Sequence, residues 1–188
     1  MTRRADPFIA SLRALLPSYG LDISARLTRL SVSENWTYQA ESGGQCLILR
    51  VHRPGYHSDQ AIESERAWIR ALQLEDVVPT ATPLKTRDDA ELSSFEQSGD
   101  RYRVSAFSFL PGEHPVLDAS APFRFEALGG ITAALHQHAR NWHKPSCFQR
   151  PRWDAQAMFG PQPAWGDWRA AVSAPCEVGL LSRAEEIV

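Results

Sequence analysis

Cys46-Leu47-Ile48-Leu49-Arg50-Val51-His52 and, twelve residues on, Ser64-Glu65-Arg66-Ala67-Trp68 are the two stretches on which the fold turns. The first alternates with a period of two, which places Leu47, Leu49 and Val51 on one face of a strand and Ile48 and Arg50 on the other. The second lies inside a run from Ser58 to Leu74 whose apolar residues Ile62, Ile69 and Leu72 recur at helical spacing. Glu65 falls on that apolar stripe. A carboxylate turned inward is costly unless a cation meets it, and the preceding strand offers Arg50. The expectation is an Arg50–Glu65 ion pair between a strand and the helix that follows it.

Working outward, Asp6 and Pro7 open a first helix to Leu16, with Phe8, Ile9, Leu12 and Leu16 as its apolar face and Pro17 closing it. Strands are expected at Ala25 to Leu30, Thr37 to Glu41 and Cys46 to His52, the last two joined by Ser42-Gly43-Gly44. After the Glu65 helix, Pro79 and Pro83 mark an extended crossing into Leu84 to Thr86. Two more strands, Glu91 to Gln97 and Arg101 to Phe109, flank Ser98-Gly99-Asp100. This is an α+β arrangement: a five-stranded antiparallel sheet with one inserted helix. At Leu110-Pro111-Gly112 the strand signals stop, and a helical stripe of Leu128, Ile131, Leu135, Ala139 and Trp142 follows despite Gly129-Gly130. The boundaries read as a helix and linker over 1–24, a sheet lobe over 25–110, and a hinge with the first helices of a second lobe over 111–188.

Composition narrows the function classes. A net charge of −2 with both signs interspersed offers no basic stripe for nucleic acid or anionic lipid. No apolar run is long enough to span a bilayer and no signal-peptide core follows Met1, so no membrane and a cytoplasmic location are expected. The three cysteines, Cys46, Cys147 and Cys176, form no CxxC pair, which suggests neither a disulfide framework nor a zinc site. His136 and His138 stand two apart on one helix and cannot share an ion; solvation or core hydrogen bonding is the expected role. Trp153, Trp165 and Trp168 are expected in a core.

An inward Arg and Glu on neighbouring elements are, taken alone, more often a structural ion pair than a nucleotide clamp. Their setting adds to this. A nucleoside triphosphate needs a fixed cation on its phosphates, a counter-charge to hold that cation, and a flat apolar slot with backbone polar groups at a hinge for its base. Arg50, Glu65, Ile48 and the backbone of Ser108, Phe109 and Leu110 match those roles in order. Asn35 and Thr37 are, by turn chemistry alone, residues of a local turn.

Ser33-Glu34-Asn35-Trp36-Thr37-Tyr38, Leu49-Arg50-Val51-His52-Arg53-Pro54-Gly55-Tyr56, Ser64-Glu65-Arg66-Ala67-Trp68, Phe109-Leu110-Pro111-Gly112 and Leu135-His136 together resemble the aminoglycoside phosphotransferase and choline kinase-like superfamily, its homoserine kinase-like and stress-response kinase branch above all. The resemblance runs from about Thr28 onward. It implies a protein-kinase-like fold, ATP and Mg2+ as cofactors, and transfer of the γ-phosphoryl group to a hydroxyl of a small molecule or a protein. It also implies that Asn35, Trp36 and Thr37 cover the phosphates and that Arg50 stands where such proteins have a phosphate-contacting Lys.

The departure from the family pattern is equally specific. Its His-x-Asp catalytic loop ending in Asn, and its Asp-containing metal motif, occur nowhere in these 188 residues. Asp154 and Asp167 lack an Asn at the catalytic-loop spacing. No catalytic residue and no metal ligand is therefore assigned, and the 188 residues alone are expected to be inactive. A C-terminal half supplied by another chain is an expected partner beside nucleotide. The alternative is an inactive nucleotide-binding or interaction module.

Overall fold

The computed structural model describes residues 6–112, 118, 121–164 and 166–187, with the backbone alone for 185–187. Trp165 lies outside the described residues. The chain divides into two compact units, Met1–Gln149 and Arg150–Val188.

In the first unit, helix α1 (Ile9–Leu15) runs into a 3-10 turn (Leu16–Tyr19) in which Pro17 stands near the start. Gly20, at φ +82°, ends it in a conformation that costs glycine little. Asp6 begins this segment by accepting from the Phe8 N–H (3.1 Å) and the Tyr38 hydroxyl (2.8 Å), which ties α1 to the sheet. The strands follow as β1 (Arg26–Val32), β2 (Asn35–Ser42), β3 (Gln45–His52), β4 (Pro83–Leu84), β5 (Ser93–Gln97) and β6 (Asp100–Ser108), with helix α2 (Asp59–Leu74) between β3 and β4. Their order is β1-β2-β3-β6-β4, with β5 paired to the first half of β6, and each pairing is antiparallel.

The sheet has six strands where the sequence suggests five. The extra one, β4, is the tail of the extended crossing. At two residues it is too short to show any period, and it begins with Pro83, which fits an edge because proline donates no ladder bond. Between β2 and β3, Gly43 (φ +56°) and Gly44 (φ +80°) form the two-residue turn that needs a positive φ at both positions. That turn fixes the register Thr37 to Arg50 and Gln39 to Ile48.

Alternation then sorts the sheet into two faces. Tyr38, Ala40, Leu47, Leu49, Val51, Val104 and Ala106 point to one side and pack with Phe8, Leu12 and Leu16 as the main core. The opposite face carries Thr37, Ile48, Arg50, His52, Ser105 and Phe107 and meets α2. Ser58 caps α2, its Oγ accepting from the Ala61 N–H at 3.1 Å, and Asp59 in the first turn suits the positive end of the helix.

Helix α3 (Ala121–Asn141) is continuous through Gly129-Gly130. Only its C-terminal half is covered. His138 is buried and accepts from Trp68 Nε1 at 3.0 Å, while Leu128 and Ile131, on the stripe expected to await helices of a second lobe, are 53% and 43% exposed. Among its described residues the second unit has helices α4 (Ala155–Phe159), α5 (Trp168–Ala171) and α6 (Pro175–Ile187). Trp153 is 69% exposed, against the expectation of a core role; the short elements around it enclose no buried residue of their own. No helix among the described residues is long and apolar enough to cross a membrane.

Candidate nucleotide site

Arg50 and Glu65 meet as their positions require. Nη1 of Arg50 donates to Oε1 of Glu65 at 2.7 Å, with side chains 31% and 23% exposed, so the pair sits in the mouth between β3 and α2. The carboxylate fixes one edge of the guanidinium. Arg50 also lies 5.0 Å from the centroid of the Phe107 ring, which limits its rotamers further. Phe107 pairs across the sheet with Ile48, so the ring and the Ile48 side chain form an apolar floor beside the cation.

Thr37 stands directly across from Arg50 and Asn35 across from His52, all on this face. Asn35 Oδ1 is buried without a hydrogen-bond partner. Trp36, one residue out of phase, turns to the other face and packs edge-on against Phe8 at 5.0 Å. Alternation thus brings Asn35, Thr37, Ile48, Arg50 and Glu65 together and leaves Trp36 on the α1 side. Ser108 closes β6 next to Leu47. It exchanges two bonds with Thr82: its N–H donates to the Thr82 carbonyl (2.9 Å) and its Oγ accepts from the Thr82 N–H (2.8 Å). Phe109 and Leu110 then leave the sheet with exposed side chains.

His52 adds a titratable group beside Arg50. It is 4% exposed, and its Nε2 lies 2.8 Å from Ser105 Oγ. Burial, and then the neighbouring Arg50 charge, push its pKa down to about 4, so the ring is neutral at physiological pH.

One residue of the site's support went unread in the sequence. Arg66, next to Glu65, is 1% exposed and spends its guanidinium on Glu91 Oε2 (Nε, 3.0 Å), the Ala106 carbonyl (Nη1, 3.2 Å) and the Leu84 carbonyl (Nη2, 2.7 Å). Burial lowers its pKa and Glu91 opposes the shift. Glu91 also takes Arg70 at 2.6 Å; burial alone would raise its pKa, but the bonds from Arg70 and Arg66 carry it below the usual carboxylate value. Arg66 also lies 5.6 Å from the Phe107 centroid, so Phe107 has a guanidinium from Arg50 and from Arg66 near it. The only sequence signal was a second basic residue, Arg70, one helical turn after Arg66.

Magnesium fits poorly with what is present. Glu65, the carboxylate in the mouth, is engaged by Arg50, and among the described residues no group of three or more His, Cys, Asp or Glu could hold a metal ion.

Comparisons with known proteins bear on the fold that carries these residues. The model of the phosphotransferase enzyme family (APH) matches residues 26–177. A microcompartment-associated aminopropanol kinase superposes with a TM-score of 0.80 at 34% identity, over 95% of this chain and 55% of its own. An amicoumacin kinase, solved in complex with AMP-PNP, Ca2+ and Ami, shares the fold at a TM-score of 0.73 and 22% identity, over 97% of this chain and 52% of its own. An uncharacterized protein of Synechocystis sp. is 33% identical over 115 residues, 61% of this chain and 31% of that protein. The chain therefore spans between a third and about half of the length of these relatives, and its sheet and helices match the N-terminal half of APH-type kinases. By its family match and its fold, this chain belongs to the APH phosphotransferase enzyme family.

Proposed function

We propose that the chain is the nucleotide-binding half of an ATP-dependent phosphotransferase acting on a hydroxyl. In this reading residues 25–110 are the nucleotide lobe and 111–188 open the acceptor lobe. The observation that carries it is the Arg50–Glu65 pair, set on the sheet face that also presents Thr37, Ile48 and the end of β6. Arg50 donates to phosphate oxygens with the guanidinium edge that Glu65 leaves open. Ile48 and Phe107 flank the base, the Ser108–Leu110 backbone offers it polar groups, and Asn35 and Thr37 sit over the phosphates. Trp36 buttresses that turn from the α1 side.

Calorimetry with ADP tests this. Binding by the 188-residue chain is expected to be weak, because no group for a metal stands among the described residues. Arg50→Ala should weaken it about tenfold or more, the worth of a charge-assisted hydrogen bond. Failure to bind ADP at millimolar concentration would overturn the reading.

The partner proposed is a C-terminal half carrying a His-x-Asp loop. Its support is the share of the relatives that this chain spans, together with Phe125, Leu128 and Ile131, which recur every three residues along α3 at 61%, 53% and 43% exposure. A contiguous apolar strip of this kind is unusual on a monomer's surface. Co-expression with such a half should raise soluble yield and give ATP turnover that neither part shows alone. Turnover by the 188 residues by themselves would show that the chemistry resides in residues not assigned here.

A further inference from the structure

Beyond Arg50 the same sheet face continues into a second cluster of cations. A cavity of about 190 Å³ lies where β3 runs into the loop before α2, walled by His52 at the end of β3, Arg53 and His57 from the loop, and Arg101 and Arg103 from β6. Asp59 is the carboxylate of its wall, and Arg103 engages it with both Nε (2.6 Å) and Nη2. Three guanidiniums against one carboxylate leave a formal excess of two positive charges. Guanidinium groups favour planar and tetrahedral oxyanions because their donors are arrayed in a fork.

Size and position define the occupant. At about 30 Å³ per water, the cavity holds roughly six waters, too little for a nucleotide and enough for a tetrahedral oxyanion with one or two waters. His52 lines it, is 4% exposed and has spent Nε2 on Ser105, yet its Nδ1 has no hydrogen-bond partner. A buried polar nitrogen left unpaired calls for a partner, and an oxyanion or its water in the adjoining cavity supplies one. The cavity neighbours the phosphate end of the nucleotide mouth, His52 being two residues from Arg50, but lies apart from its base end. Ser108 and Phe107 pair with Leu47 and Ile48 at the other end of β3, about 13 Å away at roughly 3.3 Å per residue, and Arg50 is no part of the cavity wall.

We propose that this cavity is a binding site for a phosphate-type oxyanion, inorganic phosphate or the phosphate of a small monoester, independent of the nucleotide. Arg53 links it to the neighbouring turn, since its Nη2 donates to the Ser33 carbonyl at 3.1 Å.

The test is an amide NMR titration of the 188-residue chain with inorganic phosphate, ionic strength being held constant with sodium chloride. Saturable shifts should centre on Gly55, His57, Asp59 and Arg101. Arg101→Gln, at an exposed position outside the Asp59 pair, and Arg53→Gln should each raise the midpoint about tenfold. Arg50→Ala should leave it in place, which separates this site from the nucleotide reading. Glycerol 3-phosphate in a parallel titration identifies the source: equal midpoints mean that the free ion suffices, and a lower one means a monoester is preferred, both in support. Shifts that do not saturate, that sodium chloride alone reproduces, or that centre on Thr37 and Ile48 and vanish with Arg50→Ala would overturn the proposal.

Discussion

Replacing Arg66 by alanine should cost about 3–5 kcal/mol, a large share of the roughly 5–15 kcal/mol that holds a domain of ordinary stability together. The change removes a guanidinium that is 1% exposed and strips three bonds at once. Two of the acceptors left behind are backbone carbonyls of Leu84 and Ala106, and an unsatisfied buried acceptor costs about 1–3 kcal/mol. Glu91 keeps Arg70, which moderates the loss. Arg66→Met should recover part of the stability by refilling the space beside Phe107. Arg70→Ala, at a side chain 34% exposed, should cost less than about 1 kcal/mol. Urea midpoints of the three variants check the ranking, and an Arg66→Ala loss no greater than that of Arg70→Ala would contradict it.

Acid should destabilise the chain through His52 before its carboxylates titrate. In the unfolded chain a histidine takes up its proton near pH 6.5, whereas folded His52 resists until about 4. A base whose folded pKa is depressed contributes stability that is fully present above the unfolded pKa and is lost as pH falls towards the folded one. Between pH 7.5 and 5 the loss should be about 2 kcal/mol, of about 3 kcal/mol in total for a shift of this size. His52→Gln keeps a donor and an acceptor but cannot take a proton, so its urea midpoint should change much less over the same window. Equal pH dependence in the two proteins would show that His52 is not the group responsible.

The sequence made legible what depends on local period. Arg50 and Glu65 could be paired because a strand of period two and a helix of period 3.6 each fix which way a residue points, and one short loop joins them. The same alternation placed Leu47, Leu49 and Val51 on the core face and Ile48 with the cation. It also carried the information that Trp36 points away from Thr37, since adjacent strand residues face opposite sides. Arg66 was beyond reach for another reason. Its acceptors lie 18, 25 and 40 residues further on, and two are backbone carbonyls that no side-chain pattern reveals. β4 escaped notice because two residues show no period. Helical spacing shows which face of α3 is apolar, and Leu128 and Ile131, expected to await the helices of a second lobe, are exposed at 53% and 43%. Trp153 shows the limit of composition: a large aromatic is buried only where elements long enough to enclose it are present.

Arg50, held by Glu65, is the proposed phosphate contact of a nucleotide site. A double-mutant cycle on ADP affinity tests it most directly, with Arg50→Ala, Glu65→Ala and the pair measured by calorimetry. If Glu65 acts through Arg50, Glu65→Ala should weaken binding several-fold, Arg50→Ala about tenfold or more, and the double variant no more than Arg50→Ala alone. Losses that simply add, or an ADP affinity indifferent to both changes, would contradict the account and leave the pair a structural tie between β3 and α2.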